Sequence, residues 1–86
     1  MSKLNEIEEL VSKIKALSLS VTEENYYAEL QKGYDFLTKL HDLGVEKESV
    51  YQELFQYHNC LEDNISRNCI ADILDYVEAD LRSWNS

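Results

Sequence analysis

A chain of 86 residues with no proline, and with glycine only at positions 33 and 44, contains almost nothing that stops a helix. Its apolar residues recur at the three- and four-residue spacing of a helix face through most of its length. The widest face runs through residues 22 to 44. At 100° per residue, Tyr26, Tyr27, Leu30, Gly33, Tyr34, Phe36, Leu37, Leu40 and Leu43 fill roughly half of the circumference, more than a surface helix needs. This helix has to touch neighbours on more than one side. Thr22 is its expected N-cap, with Val21 and Tyr26 spaced as a hydrophobic staple, and Ser20 with Glu23 offers a capping box two residues earlier. Gly44 marks its end. Gly33 lies inside the apolar face, where glycine costs about 1 kcal/mol against alanine, and the expected compensation is a crossing at which two backbones come close.

Three more helices follow from the same pattern. Leu4, Ile7, Leu10, Val11, Ile14 and Leu17 share one side of a first helix, with Ser2 as its cap, and Leu17 to Ser20 read as a linker. Val45 and Val50 repeat the staple spacing around Glu46, opening a third helix with Val50, Leu54, Tyr57 and Leu61 as its core stripe. Asp63 or Asn64 can cap a fourth, buried through Ile70, Ile73, Leu74, Val77, Leu81 and Trp84. Asp72, Asp75 and Tyr76 fall opposite that stripe. The fold expected is all-α: a single-domain four-helix up-and-down antiparallel bundle over residues 1–86, with helices near 3–17, 22–43, 47–62 and 65–84.

Composition narrows the function. Apolar residues make up 44% of the chain and charged residues 29%, an ordinary globular balance. Acids interleave with the apolar residues of the first ten positions, so no secretory leader is expected there, nor a membrane span, and the expected compartment is cytoplasmic. In that compartment Cys60 and Cys69 are expected as free thiols. The net charge is −9, and residues 42 to 86 hold −7 of it, ten acids against Lys47, Arg67 and Arg82. Such a surface repels nucleic acid and anionic lipid and speeds encounter with a cationic protein.

No glycine-rich phosphate loop, zinc spacing or nucleophile elbow occurs, and neither His41 nor His58 has the acid three residues before it that a di-iron bundle requires. His41 falls on the apolar arc as a core or edge residue. His58 and Glu62, one turn apart, suit an ordinary polar pair, since nothing near them supplies a nucleophile or an oxyanion site. No enzyme, no metal and no cofactor are expected. Beside the core stripe of the third helix runs a second stripe, Tyr51, Phe55, His58 and Glu62. It is either the contact with a second neighbouring helix or, where exposed, an aromatic and acidic interface.

Gly33-Tyr34-Asp35-Phe36-Leu37, Gly44-Val45-Glu46-Lys47-Glu48-Ser49-Val50-Tyr51 and Ile70-Ala71-Asp72-Ile73-Leu74-Asp75-Tyr76-Val77, closing on Trp84, resemble segments of small bacterial immunity proteins that neutralise polymorphic or contact-dependent-inhibition toxins. The resemblance spans about residues 26 to 84. It implies an inhibitor of a cognate cationic toxin, often a nuclease, bound through an acidic helical surface. On that reading Asp72, Asp75 and Tyr76 form the expected binding face, flanked by Tyr51, Phe55, His58 and Glu62. A small acidic regulatory or adaptor bundle, or a homodimer, is the alternative the residues leave open.

Overall fold

The computed structural model describes residues 3–80. Within them the chain forms α1 (Lys3–Ser20), α2 (Tyr26–Asp42), α3 (Lys47–Cys60) and α4 (Asn64–Asp75), and α4 runs on into one π-helical turn, Tyr76–Asp80. There is no strand among the described residues. The molecule is an all-α four-helix bundle. Contacts give the helix directions: a groove joins Glu6, Leu10 and Lys13 of α1 to Lys39 and Asp42 at the far end of α2, so these two are antiparallel. Ile7 and Val11 face Val45 and Ser49, while Lys15 pairs with Glu53 at 2.9 Å, so α3 runs parallel to α1. Tyr26 bonds to Asp72 and Tyr34 stacks on Tyr76, so α4 runs parallel to α2.

Up-and-down order therefore holds, but neighbours in sequence are not always neighbours in space. α1 and α4 occupy the centre, each packed on the other three elements, whereas α2 and α3 are not a packed pair. The order around the bundle is α1, α2, α4, α3. Residues 43 to 46 cross one end to join the two flanking helices.

The termini of the helices explain most differences from the spacing rules. α1 continues to Ser20 through the expected linker because its serines turn inward on their own helix: Ser18 Oγ donates to the Lys15 carbonyl at 2.6 Å and Ser20 Oγ to that of Leu17 at 3.2 Å. α2 begins at Tyr26 rather than just after Thr22. Thr22 is still a capping residue, but of the turn before α2: its N–H donates to Asn25 Oδ1 at 2.6 Å and its Oγ1 accepts from the Asn25 N–H at 3.3 Å. This reciprocal pair replaces the expected Ser20–Glu23 box. α2 ends in a Schellman motif, with Gly44 at φ 81°, Gly44 N–H donating to the His41 carbonyl and Val45 N–H to that of Leu40. Asp63 caps α4, accepting from the Ser66 N–H at 3.4 Å and from the Ser66 hydroxyl at 3.1 Å. The expected cap Ser2 lies outside the described residues, as do Leu81 and Trp84 of the fourth helix's expected buried face.

Ile14, Leu17, Leu30, Leu37, Leu40, Val50, Leu54, Ile70, Ile73, Leu74 and Val77 form the core, joined by Val21 and Cys69. Leu4, expected on the buried side of α1, is not part of this core. It sits at the first turn and is 61% exposed. Gly33 is buried where α2 meets both central helices. A Cβ there would lie 2.9 Å from Ile73 Cδ1 and 3.9 Å from Leu17 Cδ2. What comes close at Gly33 is the Ile73 side chain, seated as a knob in the gap that the missing methyl leaves, rather than a second backbone.

Candidate functional site

The α4 residues expected on an outer face divide in two. Asp75 is exposed. Asp72 and Tyr76 are only partly exposed, because α2 packs against that side of α4. The Tyr26 hydroxyl donates to the Asp72 carboxylate, and the Tyr76 ring stacks on Tyr34 with centroids 4.0 Å apart and planes 13° from parallel. The expected placement of Asp72 and Tyr76 opposite the buried side of the helix is therefore corrected. Both tie α4 to α2. The signal was present in Cys69, Asp72 and Tyr76, a second stripe at i, i+3 and i+7 beside the main core stripe. Cys69 is fully buried on it.

Burial and the nearby carboxylates govern the protons of this seam. Desolvation first, and then the hydrogen bond and charge of Asp72, hold the Tyr26 hydroxyl protonated well above the usual tyrosine range. Desolvation, with Asp72 and Glu29 adding to it, pushes the Cys69 thiol from 9.0 up to about 11. Cys69 is thus a neutral core thiol, while Cys60 is exposed at the end of α3, and both are free.

The side stripe of α3 is partly presented to solvent. Tyr51 and Phe55 stack with centroids 6.1 Å apart and planes at 12°, and Phe55 is 46% exposed. His58 is partly buried, its Nδ1 3.5 Å from Asn59 Oδ1. Glu62 does not continue the stripe by one helical turn: α3 stops at Cys60 and Leu61 is extended, with φ −81° and ψ 137°, so Glu62 belongs to the exposed connection. The two expected groups are held by different neighbours. Asp72 and Tyr76 lean on α2, which does not pack against α3, so they do not merge into one compact cluster with Tyr51 and Phe55.

Charge is distributed as the sequence implies. Lysine ion pairs among the described residues engage Glu9, Glu29 and Glu53, of which only Glu53 lies in the acidic second half. His41 is at the edge of the core, with Nδ1 3.4 Å from Asp42 Oδ1. Among the described residues no three of His, Cys, Asp and Glu gather as ligands for a metal, and no helix is long and apolar enough to cross a membrane.

Sequence spacing misplaced one aromatic. Tyr27, assigned to the broad apolar face of α2, is 80% exposed, set edge-on to Tyr26 with centroids 5.7 Å apart and planes at 89°. It lies at the first turn of α2. With Tyr26 it lines an open groove of about 390 Å3 against Asn64, Ile65 and Asn68 of α4, with Glu23 at the rim.

The chain matches no protein-family model, no curated protein and no solved structure. Function has to be argued from the surface itself.

Proposed function

We propose that this protein is an immunity-type inhibitor that binds and neutralises a cognate cationic toxin, a nuclease domain being the class its charge suits best. The observation that carries the reading is the exposed Phe55, stacked on Tyr51, on the half of the chain that holds −7 of the −9 charge. A nuclease must present a positive channel to bind phosphates, and carboxylates near aromatic anchors engage the same field. Charge raises the association rate and buried rings lengthen residence. In this arrangement Asp75 and Glu62 supply exposed charge, Phe55 and Tyr51 the anchor, and His58 its polar edge. Asp72 and Tyr76 contribute by holding α4 against α2 while offering their exposed portions.

The test is capture from producing cells with the tagged protein, washed at high salt. Retention of a basic protein whose toxicity is suppressed by the wild-type chain supports the reading. A retained partner that is neither basic nor toxic would replace it with the adaptor reading.

A further inference from the structure

The groove between the first turns of α2 and α4 has a chemistry of its own, and none of the residues expected at the binding face lines it. Tyr27 offers a ring that is 80% exposed, set perpendicular to that of Tyr26. Glu23 contributes a carboxylate, Asn64 and Asn68 each contribute an amide with an acceptor oxygen beside its N–H donors, and Tyr26, also lining the groove, has its hydroxyl proton committed to Asp72 and can only accept. Ile65 gives the floor an apolar patch.

Two helix N-termini point here, each worth about +0.5 of an elementary charge. They are outweighed by full negative charges, since Asp63 caps α4 and Glu23 and Glu24 precede α2. Arg67 is not among the residues lining the groove. A groove that combines a carboxylate, amide oxygens, an exposed aromatic ring and an apolar side chain suits a flat, donor-rich cation. Of the protein side chains only arginine has that form, with five N–H donors in a plane that stacks on a ring.

Building on the immunity reading, we infer that this groove receives an arginine side chain of the basic partner, its guanidinium stacked on Tyr27 and donating to Glu23 and to the Asn64 and Asn68 side chains.

Two measurements separate this inference from the reading beneath it. In the first, the isotope-labelled chain is titrated by NMR with Gly-Arg-Gly-Arg-Gly and with Gly-Lys-Gly-Lys-Gly. The expected shifts centre on Glu23, Tyr27, Asn64, Ile65 and Asn68, the lysine peptide binds more weakly, and Tyr27→Ala weakens the arginine peptide about fivefold, the loss of one exposed cation–π contact. Absent binding, shifts spread over every acidic face or centred on Asp75 and Phe55, equal binding of the two peptides, or an unaffected Tyr27→Ala variant would each overturn it. In the second, the captured partner is challenged with Tyr27→Ala. A partner held as tightly as by the wild type overturns the groove inference and leaves the immunity reading standing. Arginine-selective shifts at the groove with no basic partner captured from cells leave the groove standing and remove the immunity reading.

Discussion

Replacing Gly33 tests the packing logic of the whole bundle, because this position is where α2 meets α1 and α4 together. In Gly33→Ala two terms oppose each other. Alanine is the better helix former by about 1 kcal/mol. Its methyl, however, would sit 2.9 Å from Ile73 Cδ1, against the roughly 3.5 to 4.0 Å of an ordinary carbon contact. Cδ1 is the end of a side chain and can swing aside, but Ile73 is fully buried and must displace something to do so. The net change expected is within about 1 kcal/mol. Gly33→Leu keeps nearly the same propensity gain and adds three more carbons where Ile73 and Leu17 already fill the space. The overpacking cost is about 1 to 3 kcal/mol and decides the sign. The assay is urea unfolding followed by far-UV circular dichroism, with Ile73→Ala and the double variant completing a cycle. In a chain of this size each kcal/mol lowers the melting temperature by about 4–8 °C. The double variant should be less destabilised than the sum of the singles, because removing the Ile73 side chain makes room for the leucine. A Gly33→Leu variant as stable as the parent, or strict additivity in the cycle, would show that Ile73 does not occupy the space the glycine leaves.

The remaining expectations concern protons, caps and the proposed interface. Cys69 in the unfolded chain ionises near 9.0 while in the folded protein it keeps its proton to about 11, so the stability it contributes is complete below pH 9 and is lost as pH rises from about 9 to 11. Urea midpoints measured against pH in reductant should show that decline, and Cys69→Ala should flatten it. Tyr26 has the same sign in a window beginning near the ordinary tyrosine value of about 10, so Tyr26→Phe should flatten only the more alkaline part of the curve. Asp63→Ala removes the carboxylate oxygen that accepts from both the N–H and the hydroxyl of buried Ser66, and should lower stability by about 1 kcal/mol with an unchanged denaturant slope. At the proposed interface, Asp75→Lys should leave stability within about 0.5 kcal/mol and slow association, whereas Phe55→Ala should chiefly speed dissociation, by about 2 kcal/mol if the ring is an anchor. Stopped-flow rates unchanged in both variants would remove this face from the interface.

Much of the fold could be read in the residues, for reasons that also mark where the reading stops. Gly44 announced the end of α2 because a glycine readily takes the left-handed conformation that a Schellman motif requires. The apolar half-turn of α2 correctly required two neighbours, and it has them in α1 and α4. The outer face of α4 was misread because a helical wheel locates the mean core direction but not the number of helices packed around the element. Asp72 looks solvated when one neighbour is assumed, and interhelical when α2 lies beside it. Tyr26 was the missing clue, a polar-tipped aromatic needing an acceptor across the seam. Tyr27 was counted on the broad face of α2 by its angle alone, yet at the first turn of the helix it is 80% exposed. Glu62 was placed on a helix that stops two residues earlier, and no proline or glycine near Cys60 gives that stop away; Asp63, needed as the cap of α4, takes the chain out of α3 instead.

The ring order α1, α2, α4, α3 has a topological consequence. The molecule is two helical hairpins, α1–α2 and α3–α4, that meet through the central α1–α4 contact and through α2–α4 and α1–α3, and are joined covalently only by residues 43 to 46. Every contact between the hairpins can be made equally well by hairpins from two different chains. What keeps each molecule closed on itself is therefore the high local concentration that a four-residue tether imposes, together with the sharp reversal at Gly44 that no straight continuation of α2 would allow. A single left-handed glycine thus stands between a self-contained bundle and an exchanged pair built from the same interactions.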